Sequence, residues 1–187
     1  MKELSLRERQ AIETLRAMRY DASGGLPQEL FLLVSALVPL PNVDLLVVNE
    51  RGQLLLSRRN DPYFPQGWHI PGGCMRYGED FHQRILATAR KELGCDVTSD
   101  PEPVAVRNIL RGPNPQLDHP NERGHNVAIL FRCYLPKGYC IDNGVKTPDD
   151  NGYLRWFETI PEDFLAIQQA YFDVLQPWLK KEDTSHA

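Results

Sequence analysis

The spacing of apolar residues changes character near residue 43, and that change divides the chain. Before it, Leu4, Ile12, Leu15 and Met18 recur at helical intervals among arginines and glutamates, which predicts an amphipathic helix over 3–20. Asp21-Ala-Ser-Gly-Gly25 breaks that pattern, and a second helical stretch is expected over 27–37. The two read as a helical hairpin, an extension over 1–40 suited to packing or dimerisation. From Val43 the period shortens. VDLLVVNERGQLLLSRR contains two apolar, β-rich runs joined by Asn49-Glu50-Arg51-Gly52, a hairpin signature. A loop rich in proline and aromatics follows over 61–68, then a short strand His69-Ile70-Pro71 and the pair Gly72-Gly73.

Beyond the glycines the period lengthens again. Phe81, Ile85, Ala89 and Leu93 fall four apart, predicting a helix over 79–93 with its apolar side buried and Gly94 at the C-terminal cap. Strands are expected over 104–110, 127–135 and 154–158. The polar segment RGPNPQLDHPNERGHN separates the first two, and a last helix is expected over 162–179. Strands interleaved with helices define a single α/β domain over 41–180, followed by a tail over 181–187.

Composition narrows the classes of function. A 187-residue chain with 25% charged residues and a formal charge of −4 offers no general surface for nucleic acid or anionic membrane, although a local cluster of arginines could still hold a nucleotide. The run LFLLVSALVPL is too short to span a bilayer, and MKELSLRERQ lacks the apolar core of a signal peptide. Cys74, Cys95, Cys133 and Cys140 form no C-x-x-C pair, which fits reduced thiols in a cytoplasmic protein.

The chemistry concentrates in HIPGGCMRYGEDFHQRILATARKELGCD, from His69 to Asp96. Gly73, five residues, Glu79, and Glu92-Leu93-Gly94 closing one helix together resemble the box of the Nudix hydrolases. That resemblance implies a Nudix fold, a mixed β-sheet sandwiched between helices. In the usual box, positions 88, 91 and 92 are all glutamates on one helical face, a hard-oxygen site for Mg²⁺ beside substrate phosphates. Here they are Thr88, Lys91 and Glu92, and Ala87 replaces the motif arginine. One carboxylate beside one ammonium can hold at most one Mg²⁺ (or Mn²⁺), helped by a loop carbonyl such as that of Gly72, by waters and by the ligand's own phosphates.

The segment PNVDLLVVNERGQLLLSRRNDPYFPQGWHIPGG further resembles the GDP-mannose mannosyl hydrolase branch, which also keeps only the last glutamate of the trio. On that match Asp44 corresponds to an acidic residue near the sugar, Arg59 to an arginine on the leaving nucleoside diphosphate, and Glu92 with the Gly72 carbonyl to metal ligands. It implies a nucleoside diphosphate sugar as substrate and C–O cleavage, in which water attacks the anomeric carbon. Conventional P–O cleavage of another nucleoside diphosphate derivative, and a weakly catalytic binding module, are the alternatives. The match breaks at Cys74 and Ala87, where the branch has arginines, and in the loop before the last strand. There Asp150 falls on a metal ligand, and Asn151 falls on a histidine general base that an amide cannot replace. Losing such a base costs about 10² to 10⁴ in rate; Asp149 or Asp150 could substitute if the loop slips by a residue.

Other residues carry competing readings. Gly73 belongs to the ligand loop, and Tyr63 and Phe64 could stack on a base or simply pack, while Trp68 reads as packing. Arg58, Arg76 and Arg84 read as exposed charge, Glu79 as a partner for neighbouring arginines, and His119 and His125 as surface residues of the long loop. Asp44, interrupting an apolar strand, needs a partner or a function to be tolerated there. The family resemblance and the spare hairpin suggest a homodimer.

Overall fold

The computed structural model describes residues 3–18, 20–114 and 118–178. The end of the expected last helix and the tail over 181–187 lie outside them. Two helices come first, α1 (Leu6–Ala17) and α2 (Gln28–Leu37). Ser5 and Glu8 close a capping box at the start of α1, yet α1 buries none of its residues, whereas α2 buries Ser35. The expected hairpin is therefore two helices of unequal standing, the second of which is tied to the domain through Ser35 and Arg123.

A five-stranded mixed sheet contains β1 (Leu40–Val47), β4 (Gly72–Cys74), β5 (Thr98–Ser99), β6 (Ala105–Leu110) and β7 (His125–Tyr134). Within it β1 runs parallel to β7 and antiparallel to β4. A second, three-stranded antiparallel sheet holds β2 (Leu54–Asp61) between β3 (Phe64–His69) and β8 (Leu154–Phe157). Helix α3 (Phe81–Glu92) packs on β1 and β4, with Ile85, Ala89 and Leu93 buried and the Phe81 ring 5.3 Å from that of Phe131. Gly94 follows with φ 72°, as the cap requires.

Two local expectations are corrected. The turn at Asn49–Gly52 forms, but β1 and β2 share only the bridge Val48↔Leu54 before entering different sheets. The reason is burial: Leu45, Leu46, Leu54, Leu55 and Leu56 are each at most 1% exposed, so successive residues of both strands need apolar cover on both faces. The proline-rich loop likewise contains a strand, because β3 pairs with β2 from Phe64 onward and leaves Ile70 and Pro71 beyond its end. Pro65 and Gly67 hid it from a reading based on propensity.

The last helix is the third correction. Residues 162–165 are not helical. The backbone N–H of Trp68 donates to the Asp163 carbonyl at 2.9 Å, and that of Leu165 to the Trp68 carbonyl at 2.9 Å, so this segment is tied along β3. Helical structure then appears only as a 3-10 stretch (Ala166–Tyr171), one turn of α4 (Phe172–Leu175) and a 3-10 turn (Gln176–Trp178). Gly67 permits this docking, since a Cβ there would collide with the Asp163 carbonyl oxygen. Gly67→Ala should therefore lower stability by about 1–3 kcal/mol through overpacking, read as a fall in the denaturant midpoint; an unchanged midpoint would contradict this docking.

Candidate active site

Because side chains alternate along a strand, a cavity at the sheet faces collects every second residue of each strand. Asn42 and Asp44 reach it from β1, Ser57, Arg59 and Asp61 from β2, and Asn126 and Ala128 from β7. The β4 glycines Gly72 and Gly73, Cys74, the α3 pair Lys91 and Glu92, Phe31 of α2, and Gln168 complete much of the wall of a cavity of about 340 Å³. Of the residues singled out from sequence, Asp44, Arg59, Gly72, Gly73, Glu92 and Asn151 meet here.

Asp44 lies at the floor and is 2% exposed. The Tyr171 hydroxyl donates to its Oδ2 at 2.8 Å, and Asn42 Nδ2 donates to its Oδ1 at 2.8 Å. Strand β4 passes so close that a Cβ on Gly72 would overlap Asp44 Oδ1. Burial raises the Asp44 carboxyl from 3.8 to about 7, against the pull of Tyr171, Asn42 and Arg59 in the other direction. Asp44 thus exchanges its proton near neutrality while keeping three donors that hold it in place, the third being Gln168 Nε2 at 3.5 Å from Oδ1.

Arg59 Nε donates to Asp61 Oδ2 at 2.7 Å, and its guanidinium carbon lies 4.1 Å from the centre of the Phe64 ring. On α3 the former metal face is divided. Thr88 is buried beneath Gly73 with no partner for its hydroxyl, while Lys91 Nζ stands 3.1 Å from Glu92 Oε1 with its side chain 81% exposed. An ion pair with a solvated ammonium is worth little, so Glu92 can exchange that partner for another cation.

A divalent ion can be tested against these donors. Among the described residues no group of three His, Cys, Asp or Glu side chains could hold a metal ion. Asp61 is engaged by Arg59 and Asp44 by Tyr171 and Asn42, which leaves Glu92 as the available anionic oxygen in the cavity. The donor set fits one hard cation held jointly with a ligand's phosphates, and does not fit two or three.

Several expectations are not met by the geometry. Asp150 does not line the cavity; its Oδ2 accepts from the Thr147 N–H at 2.6 Å and from the Thr147 hydroxyl at 2.8 Å, closing an exposed turn. Asn151 does line it, with Oδ1 accepting from the Asn60 N–H at 3.1 Å. Asp149 is exposed and stands 3.6 Å from the Arg58 guanidinium. Tyr63 lies outside the cavity, its hydroxyl accepting from Gln28 Nε2 at 2.8 Å. Arg58 and Arg84 are not exposed charges: they are 9% and 7% exposed and pair with Asp163 and Glu79 respectively. His125 bonds Asn108 at 2.6 Å, and neither it nor His119 lines the cavity.

His69 was missed. It is paired in register with Ser57, and both residues line the wall. Its Nδ1 lies 2.8 Å from the Ile70 carbonyl, so Nδ1–H donates there and Nε2 is left as an acceptor. Burial, reinforced by Arg59, lowers it to about 3, so it stays neutral and serves as a fixed acceptor rather than a base. Period-two reading of SRRND and of the strand before Ile70 would have placed Ser57, Asp61 and His69 beside Arg59.

A family model described as the Nudix domain matches residues 38–175. The chain belongs to the Nudix family. Low-salt glycan biosynthesis protein Agl8 of Haloferax volcanii is 37% identical over 154 residues, covering 80% of this chain and 90% of that protein. The MutT Nudix hydrolase from Burkholderia pseudomallei superposes with a TM-score of 0.54 at 19% identity, over 76% of this chain and 99% of its own. A UDP-X diphosphatase superposes with a TM-score of 0.51 at 17% identity, over 95% of this chain and 84% of its own. In this Nudix hydrolase the double glycine packs directly on helix α3, Gly73 against Thr88 and Arg84. No helix among the described residues is long and apolar enough to cross a membrane.

The raised Asp44 proton affinity has a stability consequence. A carboxyl whose folded value lies above its unfolded value contributes stability that is fully present below the unfolded value, near 3.8, and lost as pH rises through about 7. Asp44→Asn removes that titration. Relative to wild type, the variant should gain a few kcal/mol between about pH 4 and pH 8, measured by denaturant unfolding at each pH; parallel profiles would show that Asp44 titrates normally.

Proposed function

We propose that this Nudix hydrolase acts on a nucleoside diphosphate sugar, cutting the C–O bond at the anomeric carbon with one Mg²⁺ (Mn²⁺ as an alternative) in a cytoplasmic setting. The carrying observation is the convergence of Asp44, Arg59 and a single available carboxylate, Glu92, on one cavity. Similarity to a protein named for glycan biosynthesis supports a sugar-bearing substrate. P–O chemistry with two or three metal ions calls for a cluster of carboxylates on α3, and this helix offers only Glu92.

The chain's own groups divide the work. Arg59 spans the leaving diphosphate and offsets charge as it departs. Asp44, its carboxyl raised by burial to about 7, takes the proton of the attacking water as its oxygen bonds to the anomeric carbon, and its anion opposes the positive charge developing on the sugar. His69 Nε2 and Asn151 are positioned to accept or donate hydrogen bonds to sugar hydroxyls. Glu92 would hold the metal, which when bound would supply positive charge to offset that of the diphosphate leaving group. Products are free sugar and nucleoside diphosphate. P–O cleavage is the second reading, favoured by the overlap with a UDP-X diphosphatase across 95% of this chain.

Incubation with GDP-mannose and Mg²⁺ in ¹⁸O-labelled water separates these readings. The proposal predicts GDP plus mannose, with the label on the sugar; GMP plus mannose phosphate would establish P–O cleavage, and binding without turnover a recognition module. Glu92→Gln should lower kcat by about 10² to 10³; full activity would remove Glu92 from the site.

A further inference from the structure

The loop between β6 and β7 delivers a residue that the box itself does not encode. Arg123 is the only non-glycine among the described residues with positive φ, 55°, a conformation that favours glycine. It is held there from the N-terminal extension: its N–H donates to Ser35 Oγ at 2.9 Å, and the buried Ser35 hydroxyl donates in turn to the Leu32 carbonyl at 2.6 Å. The Arg123 side chain enters the cavity beside Phe31, Arg59 and Cys74.

Its guanidinium is one of three around a single ring. Arg59, Arg111 and Arg123 stand 4.1, 4.4 and 5.1 Å from the centre of the Phe64 ring. Among the described residues the only ion pair made by any of the three is that of Arg59 with Asp61. Arg111 Nη1 donates to the Tyr63 carbonyl at 2.7 Å, but its Nε and Nη2 are buried with no hydrogen-bond partner. Burial first, and the neighbouring guanidiniums second, lower the proton affinity of both Arg111 and Arg123. Arg59 and Arg123 line the cavity while Arg111 lies outside its lining, and three guanidiniums gathered around one carboxylate partner are costly in a folded protein unless a further anion offsets their charge. Planar guanidiniums match the paired oxygens of phosphates.

We infer that Arg123, positioned by Ser35 and Phe31 of α2, joins Arg59 in a subsite for the diphosphate of the ligand, with Arg111 adding positive charge from outside the cavity lining, so that the N-terminal extension is part of the active site. The inference rests on the proposed reading of the substrate as a nucleoside diphosphate derivative and adds the residues that hold its diphosphate. The strained backbone at Arg123 is retained because the loop must aim this side chain inward.

Inorganic pyrophosphate, titrated calorimetrically into the 187-residue chain, tests the subsite without any sugar or turnover. Arg123→Gln should weaken binding about 10- to 100-fold, Arg123→Lys by less, and Arg76→Ala, an exposed arginine outside the cavity, not at all. Ser35→Ala should weaken it several-fold in the wild-type background and add nothing to Arg123→Gln, a coupling that general destabilisation would not produce. Wild-type affinity in Arg123→Gln, or no saturable pyrophosphate binding by the wild-type chain, would overturn the inference. If Arg123→Gln loses pyrophosphate while no nucleotide sugar is hydrolysed, the subsite stands and the substrate reading falls.

Discussion

Charge in one small cavity governs this structure. Three carboxylates line it, and two are already committed: Asp44 to Tyr171 and Asn42, Asp61 to Arg59. Only Glu92 has a partner that water shares, the exposed ammonium of Lys91. Arg59 and Arg123 line the same cavity, and Arg111 stands beside them against the Phe64 ring. A ligand that brings its own negative charge, and that needs no more than one added cation, is what such a wall accommodates. The reduced carboxylate count on α3 and the arginines gathered around Phe64 are two sides of the same adjustment.

The fold makes this arrangement by bare backbone as much as by side chains. Strand β4 can cover Asp44 only because Gly72 has no Cβ, and it can lie over Thr88 only because Gly73 has none. That cover removes water from the Asp44 carboxyl and lifts its proton affinity into the neutral range, where a proton acceptor is useful. Tyr171 reaches the same carboxyl because residues 163–165 are tied to β3, which brings the 3-10 stretch across the cavity floor. Long-range pairing, bare backbone and the protonation of one buried carboxyl are thus linked through a few close approaches.

The box helix, its buried stripe and its glycine cap were readable in sequence because each follows a local rule of spacing. So was the convergence of Asp44, Arg59 and Glu92, which a family pattern aligns without gaps. Other features were beyond such rules. The parting of β1 and β2 into two sheets depends on burial of both faces, which a short apolar run does not announce. Asp150 looked like a ligand by position, but a Thr147 turn claims its carboxylate. Arg123 sits in a polar loop with no periodicity, and its place in the wall follows from a hydrogen bond to Ser35, 88 residues away in sequence.

Metal stoichiometry bears most directly on this balance of charge. Mn²⁺ binding followed by electron paramagnetic resonance should show one ion per chain in the presence of GDP, weak binding in its absence, and loss of the site in Glu92→Gln. Two or more tightly bound ions, or a site indifferent to both GDP and Glu92, would contradict the account.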